Sequence, residues 1–183
     1  MEKRKVLLDS DVIIHFVKGQ CFSLLPGILP DFDFVILDVV YESELKLYLS
    51  QQIEQTIRVL RKLSILEWHY TQEEFAEFCR LQSIFGLGES ACMTYCRHHN
   101  REVLGSSNLR DIRAYCERHE IDYFTTMDFL YQAWRDGLMS EAECDAFIQR
   151  VKSQKSKLPV SRMAEFTPRV YFDKTVGQFI NLT

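Results

Sequence analysis

The chain has 183 residues, of which 46% are hydrophobic and 26% charged, and a formal net charge of −4. That apolar fraction over that length favours one compact domain with a core of its own, and no run of about 18 uncharged apolar residues is present to cross a bilayer. The acidic balance excludes a strongly basic nucleic-acid coat while leaving room for a local basic groove.

In chain order, strand-like and helix-like segments alternate. "KVLLD", Lys5 to Asp9, is a short apolar run, and its Asp9 falls where the apolar part of a secretory signal would have to continue. With six cysteines best read as reduced thiols, this predicts a cytoplasmic protein. "SDVIIHFVKG" follows as a helix, with Ser10 or Asp11 as cap and Gly19 as stop. "FDFVIL", Phe32 to Leu37, is a second buried strand; "VVYESELKLYL" and "SQQIEQTIRVLRKL" read as successive helices, the latter with Ile53, Ile57 and Leu60 on one face. A strand "SILEWH" precedes the helix "TQEEFAEFCRLQSIF", whose Thr71 and Glu74 have capping-box spacing. The glycine-flanked "GLGESACMTYCRHH" feeds another helix, then a strand around Val103 and Leu104, the helix "NLRDIRAYCERH", a strand "DYFTT" and the helix "MDFLYQAWRDG" with Gly137 as its stop. Such alternation predicts an α/β three-layer sandwich with a central, mainly parallel sheet. From Ser140, "SEAECDAFIQRVKSQKSK" reads as an amphipathic helix with a basic end, and the last segment lacks clear periodicity. The expected organisation is a domain over 1–138 and a C-terminal helix and tail over 139–183, the tail packing back, capping an oligomer or moving freely.

In parallel sheets, ligands bind at the carboxyl ends of the strands, near the point where strand order reverses. Asp9, Ser10 and Asp11 follow the first strand, Glu44 lies one turn into the helix after the second, Glu89 opens the "GLGESA" helix, and Asp128 opens the last helix of the alternation. Each acid alone is accounted for by capping or by the helix dipole. Together they fall at one edge, where clustered carboxylates repel unless a hard divalent cation lies between them. Mg²⁺ or Mn²⁺ there fits metal-assisted hydrolysis of a phosphodiester.

"VLLDSDVII", the V-x-x-x-E-L of Val40 to Leu45, "GLGESAC" and "LRDIRAYCERHEIDYFTTMDFL" resemble the successive motifs of PIN-domain proteins, a nuclease fold that includes the toxins of toxin–antitoxin pairs. The resemblance runs from about residue 4 to about 138. It implies that Asp9 and Glu89 bind metal, that Glu44 is the second-helix glutamate and that Asp128 is a fourth, less constant acid. It also implies a cytoplasmic ribonuclease acting on single-stranded RNA, with an antitoxin-like partner or a homodimer. Where the family usually has a third central aspartate this chain has Asn108, in "SSNLRD", next to the candidate substrate-binding Ser107. Asn108 offers a carbonyl oxygen but no full charge. Asp111, one turn on, shares its face, and Asn-x-x-Asp occurs in some toxin-like members of the family.

The alternative is a PIN-like scaffold that has lost catalysis and binds RNA or protein. A phosphatase or nucleotide-binding protein is a third reading, but no glycine-rich phosphate loop follows the first strand. Cys92 and Cys96 with His98 and His99 have spacing that admits zinc, although two buried thiols on a helix face are the commoner arrangement. The basic runs "RVLRK" and "QRVKSQKSK" are candidates for steering RNA phosphates, against the usual role of a solvated face. Trp68, Tyr70 and Trp134 read as core or interface.

Overall fold

The computed structural model describes residues 3–61, 63–99 and 102–182. Its sheet is built on β1 (Lys5–Leu8), whose Val6, Leu7 and Leu8 are completely enclosed. A strand covered on both faces reads as an unbroken apolar run because no side is left for polar residues. β1 pairs in parallel with β2 (Asp33–Leu37) on one side and β4 (Val103–Gly105) on the other; β3 (Leu63–Leu66) extends the β2 side and β5 (Tyr123–Phe124) the β4 side. The resulting order is 3-2-1-4-5, all parallel, and it reverses between β1 and β4. With helices on both faces, this is the expected α/β three-layer sandwich.

α1 (Ser10–Lys18) follows β1 directly, and Asp9, not Ser10 or Asp11, occupies its N-cap position. Its Val12, Ile13 and Phe16 form the apolar stripe that packs on the sheet. The helix stops at Gly19 as expected, but the left-handed residue is Gln20, with φ 59. Gly19 is required for closeness instead: a Cβ there would enter the Phe147 ring. A short 3₁₀ turn (Phe22–Leu24) and the single turn α2 (Leu25–Ile28), unread in the sequence, bury Phe22, Leu25 and Ile28 on the way to β2.

The two helices expected after β2 form one run. A turn, α3 (Asp38–Val40), passes through a π-helical turn (Tyr41–Leu45) into α4 (Lys46–Leu60). Ile53 is buried and Ile57 half-buried on its inner face. After β3, α5 (Gln72–Gln82) starts at the Thr71 and Glu74 capping box and packs against α6 (Leu87–His98). β4 then leads through Ser106 to Asn108 into α7 (Leu109–Arg118), and β5 into α8 (Thr126–Arg135). The strand expected over "DYFTT" is only two residues long, because Thr125 caps α8. α8 ends where Gly137 takes φ 72 and Leu138 N donates to Ala133 O at 2.8 Å, the arrangement glycine supports after a helix.

The C-terminal segment packs back. α9 (Glu141–Ser153), capped by Ser140 and Glu143, buries Cys144, Phe147, Ile148 and Val151 against α1 and α8. Beyond it, β6 (Val170–Asp173) and β7 (Gln178–Asn181) form an antiparallel hairpin where the sequence has no clear periodicity. Phe172 meets Phe32 at 5.0 Å between ring centroids and Phe179 meets Phe124 at 5.2 Å. The fully buried Gln132 of α8 acts as a surrogate strand: its Nε2 donates to Phe172 O at 3.1 Å and its Oε1 accepts from Phe172 N at 2.8 Å. Paired in this way, a buried amide escapes the penalty of an unmet polar group. No described helix is long and apolar enough to cross a membrane.

Candidate functional site

The carboxyl ends of β1 and β4 meet at the reversal of strand order. Asp9 N donates to Gly105 O at 2.9 Å, tying the two ends together. The Asp9 carboxylate, 2% exposed, accepts from Ser10 N at 2.8 Å through Oδ1 and from the Ser106 hydroxyl at 3.0 Å through Oδ2. Burial, followed by the charges of Asp11 and Glu89, holds its pKa well above the usual carboxylate range against those two hydrogen bonds.

Glu44 reaches the same place from the π-helical turn. One residue more per turn turns a side chain away from its α-helical direction, and such turns are frequent at functional sites. Glu44 Oε1 accepts from Gly88 N at 3.0 Å, and Oε2 accepts from the Ser10 hydroxyl. Gly88, in the first turn of α6, leaves the space these acids share: a Cβ there would lie 2.6 Å from Asp9 Oδ1 and 2.8 Å from Glu44 Oε1. Glu89 follows, curled back over Gly86. Below them, burial pushes the Cys92 thiol up, and the charges of Asp9, Glu44 and Glu89 all add to the rise.

Across the gap, Asn108 spends both amide hydrogens on carboxylates, donating to Glu89 Oε1 at 2.9 Å and to Asp111 Oδ2 at 2.8 Å. Only the amide nitrogen can donate to both, so its orientation is set by chemistry. The other Asp111 oxygen pairs with Arg110 Nε at 3.1 Å. Asp11 Oδ2 accepts from Ser107 N at 2.8 Å, while Asp11 Oδ1 is buried with no hydrogen-bond partner among the described residues. Burial raises Asp11 to about 6 against the Ser107 amide, and Glu89 adds to the rise.

The fold therefore gathers Asp9, Ser10, Asp11, Glu44, Glu89, Asn108 and Asp111 at one edge. Asp128 caps α8: its Oδ2 accepts from Thr125 N at 2.9 Å and faces Arg169 Nη2 at 3.5 Å, while its Oδ1 is buried with no hydrogen-bond partner among the described residues. Ser107 also faces inward, its hydroxyl donating to Thr126 Oγ1 at 2.8 Å. Thr126 Oγ1 in turn lies 2.9 Å from His15 Nδ1. Burial lowers His15 to about 4, with Lys18 adding to the effect, so the ring is neutral and shares one hydrogen with the Thr126 hydroxyl. Sequence reasoning missed His15, Thr126, Ser106 and Gly88. Only the four-residue step from Asp11 to His15 and the paired glycines of "GLGES" hinted at them.

Cys92 and Cys96 are enclosed, and His98 and His99 turn to Glu77 and Glu74. As donors the edge residues fit a hard cation: they are oxygen ligands, one of them buried and unpartnered, and burial together with like charge raises Asp9 and Asp11. As placed, each is drawn to a neighbouring hydrogen-bond partner, and among the described residues no three His, Cys, Asp or Glu side chains form a ready metal-binding group. No family model matches this chain, and no curated protein matches it.

Proposed function

We propose that this protein is a PIN-like, metal-dependent ribonuclease of the cytosol that hydrolyses RNA phosphodiester bonds at the edge between β1 and β4. The observation that supports this most is Asp9, raised by burial and then by the charges of Asp11 and Glu89, and sharing the space over Gly88 with Glu44. Gathering acids where they disfavour one another's ionisation opposes folding and is characteristic of sites built for a cationic ligand or for proton transfer. All six cysteines are free thiols, as a reducing compartment favours.

Asp9, Glu89 and the Asn108 carbonyl would hold Mg²⁺ or Mn²⁺, with Asp111 beside them. Such an ion supplies a sink for phosphate charge and a water of lowered pKa. The remaining roles belong to the chain. Ser10 and the Gly88 amide fix the Glu44 carboxylate, which can take a proton at Oε1. The His15, Thr126 and Ser107 relay holds the loop that carries Asn108. Manganese-dependent cleavage of single-stranded RNA by purified protein, lost in Asp9→Asn, is the expected result. Cleavage that survives the substitution would assign the activity to a contaminant and overturn the proposal.

One observation favours a second reading. The Asn108 amide bridges Glu89 and Asp111 where a cation would otherwise be needed, as in a scaffold that keeps the shape of the site and binds RNA or a protein partner without cutting. Calorimetry separates the two: heat on Mn²⁺ addition that Asp9→Asn abolishes supports the nuclease, and its absence supports the binding module. An antitoxin-like partner or self-association belongs to the toxin-like form of the proposal.

A further inference from the structure

At the end of α6 that leads into β4, the helices α5, α6 and α7 meet around the buried carboxylate of Glu77. It accepts from Tyr115 Oη at 2.6 Å, Arg80 Nη2 at 3.1 Å, His98 Nε2 at 3.1 Å, and Arg97. Burial alone would raise its pKa; the hydrogen bonds from Tyr115, Arg97 and His98 outweigh burial and hold it near 2. Arg80 and Arg97 remain 57% and 39% exposed, and a guanidinium has five N–H donors, so both keep donors for a solvent-side ligand. Arg118, at the end of α7, is exposed and makes no ion pair among the described residues. It lies one helical turn beyond Tyr115, the α7 residue that donates to Glu77, so its charge stands at the same end of α7. One buried carboxylate thus faces two permanent cations, with a third at the same helix end.

The other end of α7 is the acidic edge, where Asn108 and Asp111 lie. Ten residues of helix span about 15 Å; between the two ends Arg110 and Arg113 are exposed but paired, with Asp111 at 3.1 Å and with Glu117 at 2.8 Å. We propose that Arg80, Arg97 and Arg118, at the far end of α7, bind the sugar-phosphate backbone of a single-stranded RNA whose neighbouring phosphodiester lies at the acids. This rests on the reading of the acidic edge as an RNA site. Planar guanidinium forks match phosphate oxygens, and an overall negative chain confines such attraction to the few places where cations gather. One basic stretch evident in the sequence is partly spent within the chain. Arg150 donates to Gly19 O at 2.9 Å and Lys152 to Val160 O at 3.2 Å, so "QRVKSQKSK" secures the C-terminal segment. In "RVLRK", the Arg58 side chain and Lys62 lie outside the described residues.

Fluorescence anisotropy of labelled oligoribonucleotides with the full chain in EDTA tests the proposal. Arg80→Gln and Arg118→Gln should each weaken a longer oligonucleotide roughly 3- to 10-fold at low salt and reduce the salt slope by about 0.7. Di- and trinucleotides should be unaffected. Lys174→Gln, the same loss of charge on the C-terminal hairpin, should leave both quantities unchanged. The surface is overturned if Arg80→Gln and Arg118→Gln behave as Lys174→Gln does, if no oligonucleotide binds, or if poly-glutamate binds in place of RNA, which would assign the cations to an acidic protein. Cleavage is scored separately with Mn²⁺. Cleavage without sensitivity to these arginines removes the surface alone, and sensitivity without cleavage removes the hydrolytic reading alone.

Discussion

The side-chain amide of Asn108 donates to Glu89 Oε1 at 2.9 Å, so the carboxylate nearest the gap in the acidic edge is met by a neutral donor instead of a cation. The second amide hydrogen does the same for Asp111. Asparagine at this position lets the edge close without an ion.

Asn108→Asp reverses that. It replaces two hydrogen bonds to charged acceptors, each worth about 1.5 to 3 kcal/mol, with a carboxylate facing two others. In EDTA the variant should melt at least about 6 °C below the parent, given roughly 2 to 4 °C per kcal/mol at this chain length. Added Mn²⁺ should recover most of the loss and raise its melting temperature more than the parent's. Equal responses to Mn²⁺ in thermal unfolding would count against a metal site at this edge.

Asp11→Asn should stabilise the protein at neutral pH. The folded pKa of about 6 lies above the usual carboxylate value, so the group's favourable contribution is complete below pH of about 4 and is lost as pH rises through 6. Above that, ionised Asp11 opposes folding by up to about 3 kcal/mol. An asparagine oxygen still accepts from Ser107 N, so urea unfolding at pH 7.5 should show a gain of about 1 to 3 kcal/mol that shrinks toward zero near pH 4. Such a gain joined to a loss of RNA cleavage is the trade-off expected of a functional acid.

His15 titrates with the opposite sign. Its folded pKa, near 4, lies below the ordinary imidazole value of about 6.5. Stability is unaffected above 6.5 and falls as pH drops toward 4, because the unfolded chain takes up the proton first. The full shift is worth about 2 to 3 kcal/mol for this largely buried ring. His15→Gln should therefore lose little further stability on acidification, and the difference between parent and variant in urea unfolding should narrow from pH 7.5 to 4.5. A constant difference would show that the ring is not held neutral by its surroundings.

The alternation of strands and helices was legible because central parallel strands are unbroken apolar runs, as in "KVLL", and because Thr71, Glu74 and Gly137 carry helix-end chemistry that acts locally. The acids after β1 and those at the start of α6 and α7 were legible for the same local reason. Asp128 has the same local signature, since an acid at the third position of a helix looks the same whether it caps or catalyses. The π-helical turn at Glu44 has no residue signature, being a matter of which carbonyl each amide reaches. The hairpin of β6 and β7 is four residues per strand, too short for a period to stand out, and its partner Gln132 is 40 residues away. The His15 to Thr126 contact spans 111 residues, a distance over which one sequence carries no pairing information.

The π-helical turn at Tyr41–Leu45 also separates two requirements that a plain helix would couple. In an α-helix, consecutive side chains are rotated by about 100°, so aiming Glu44 at Asp9 would dictate which side of α4 meets the sheet eight or nine residues later. The extra residue in the turn breaks that gearing. Ile53 can seat in the core on its own register while Glu44 points at the strand ends. Deleting one residue from the turn would leave the helix free to run straight and the fold intact, with the acid swung out of the site.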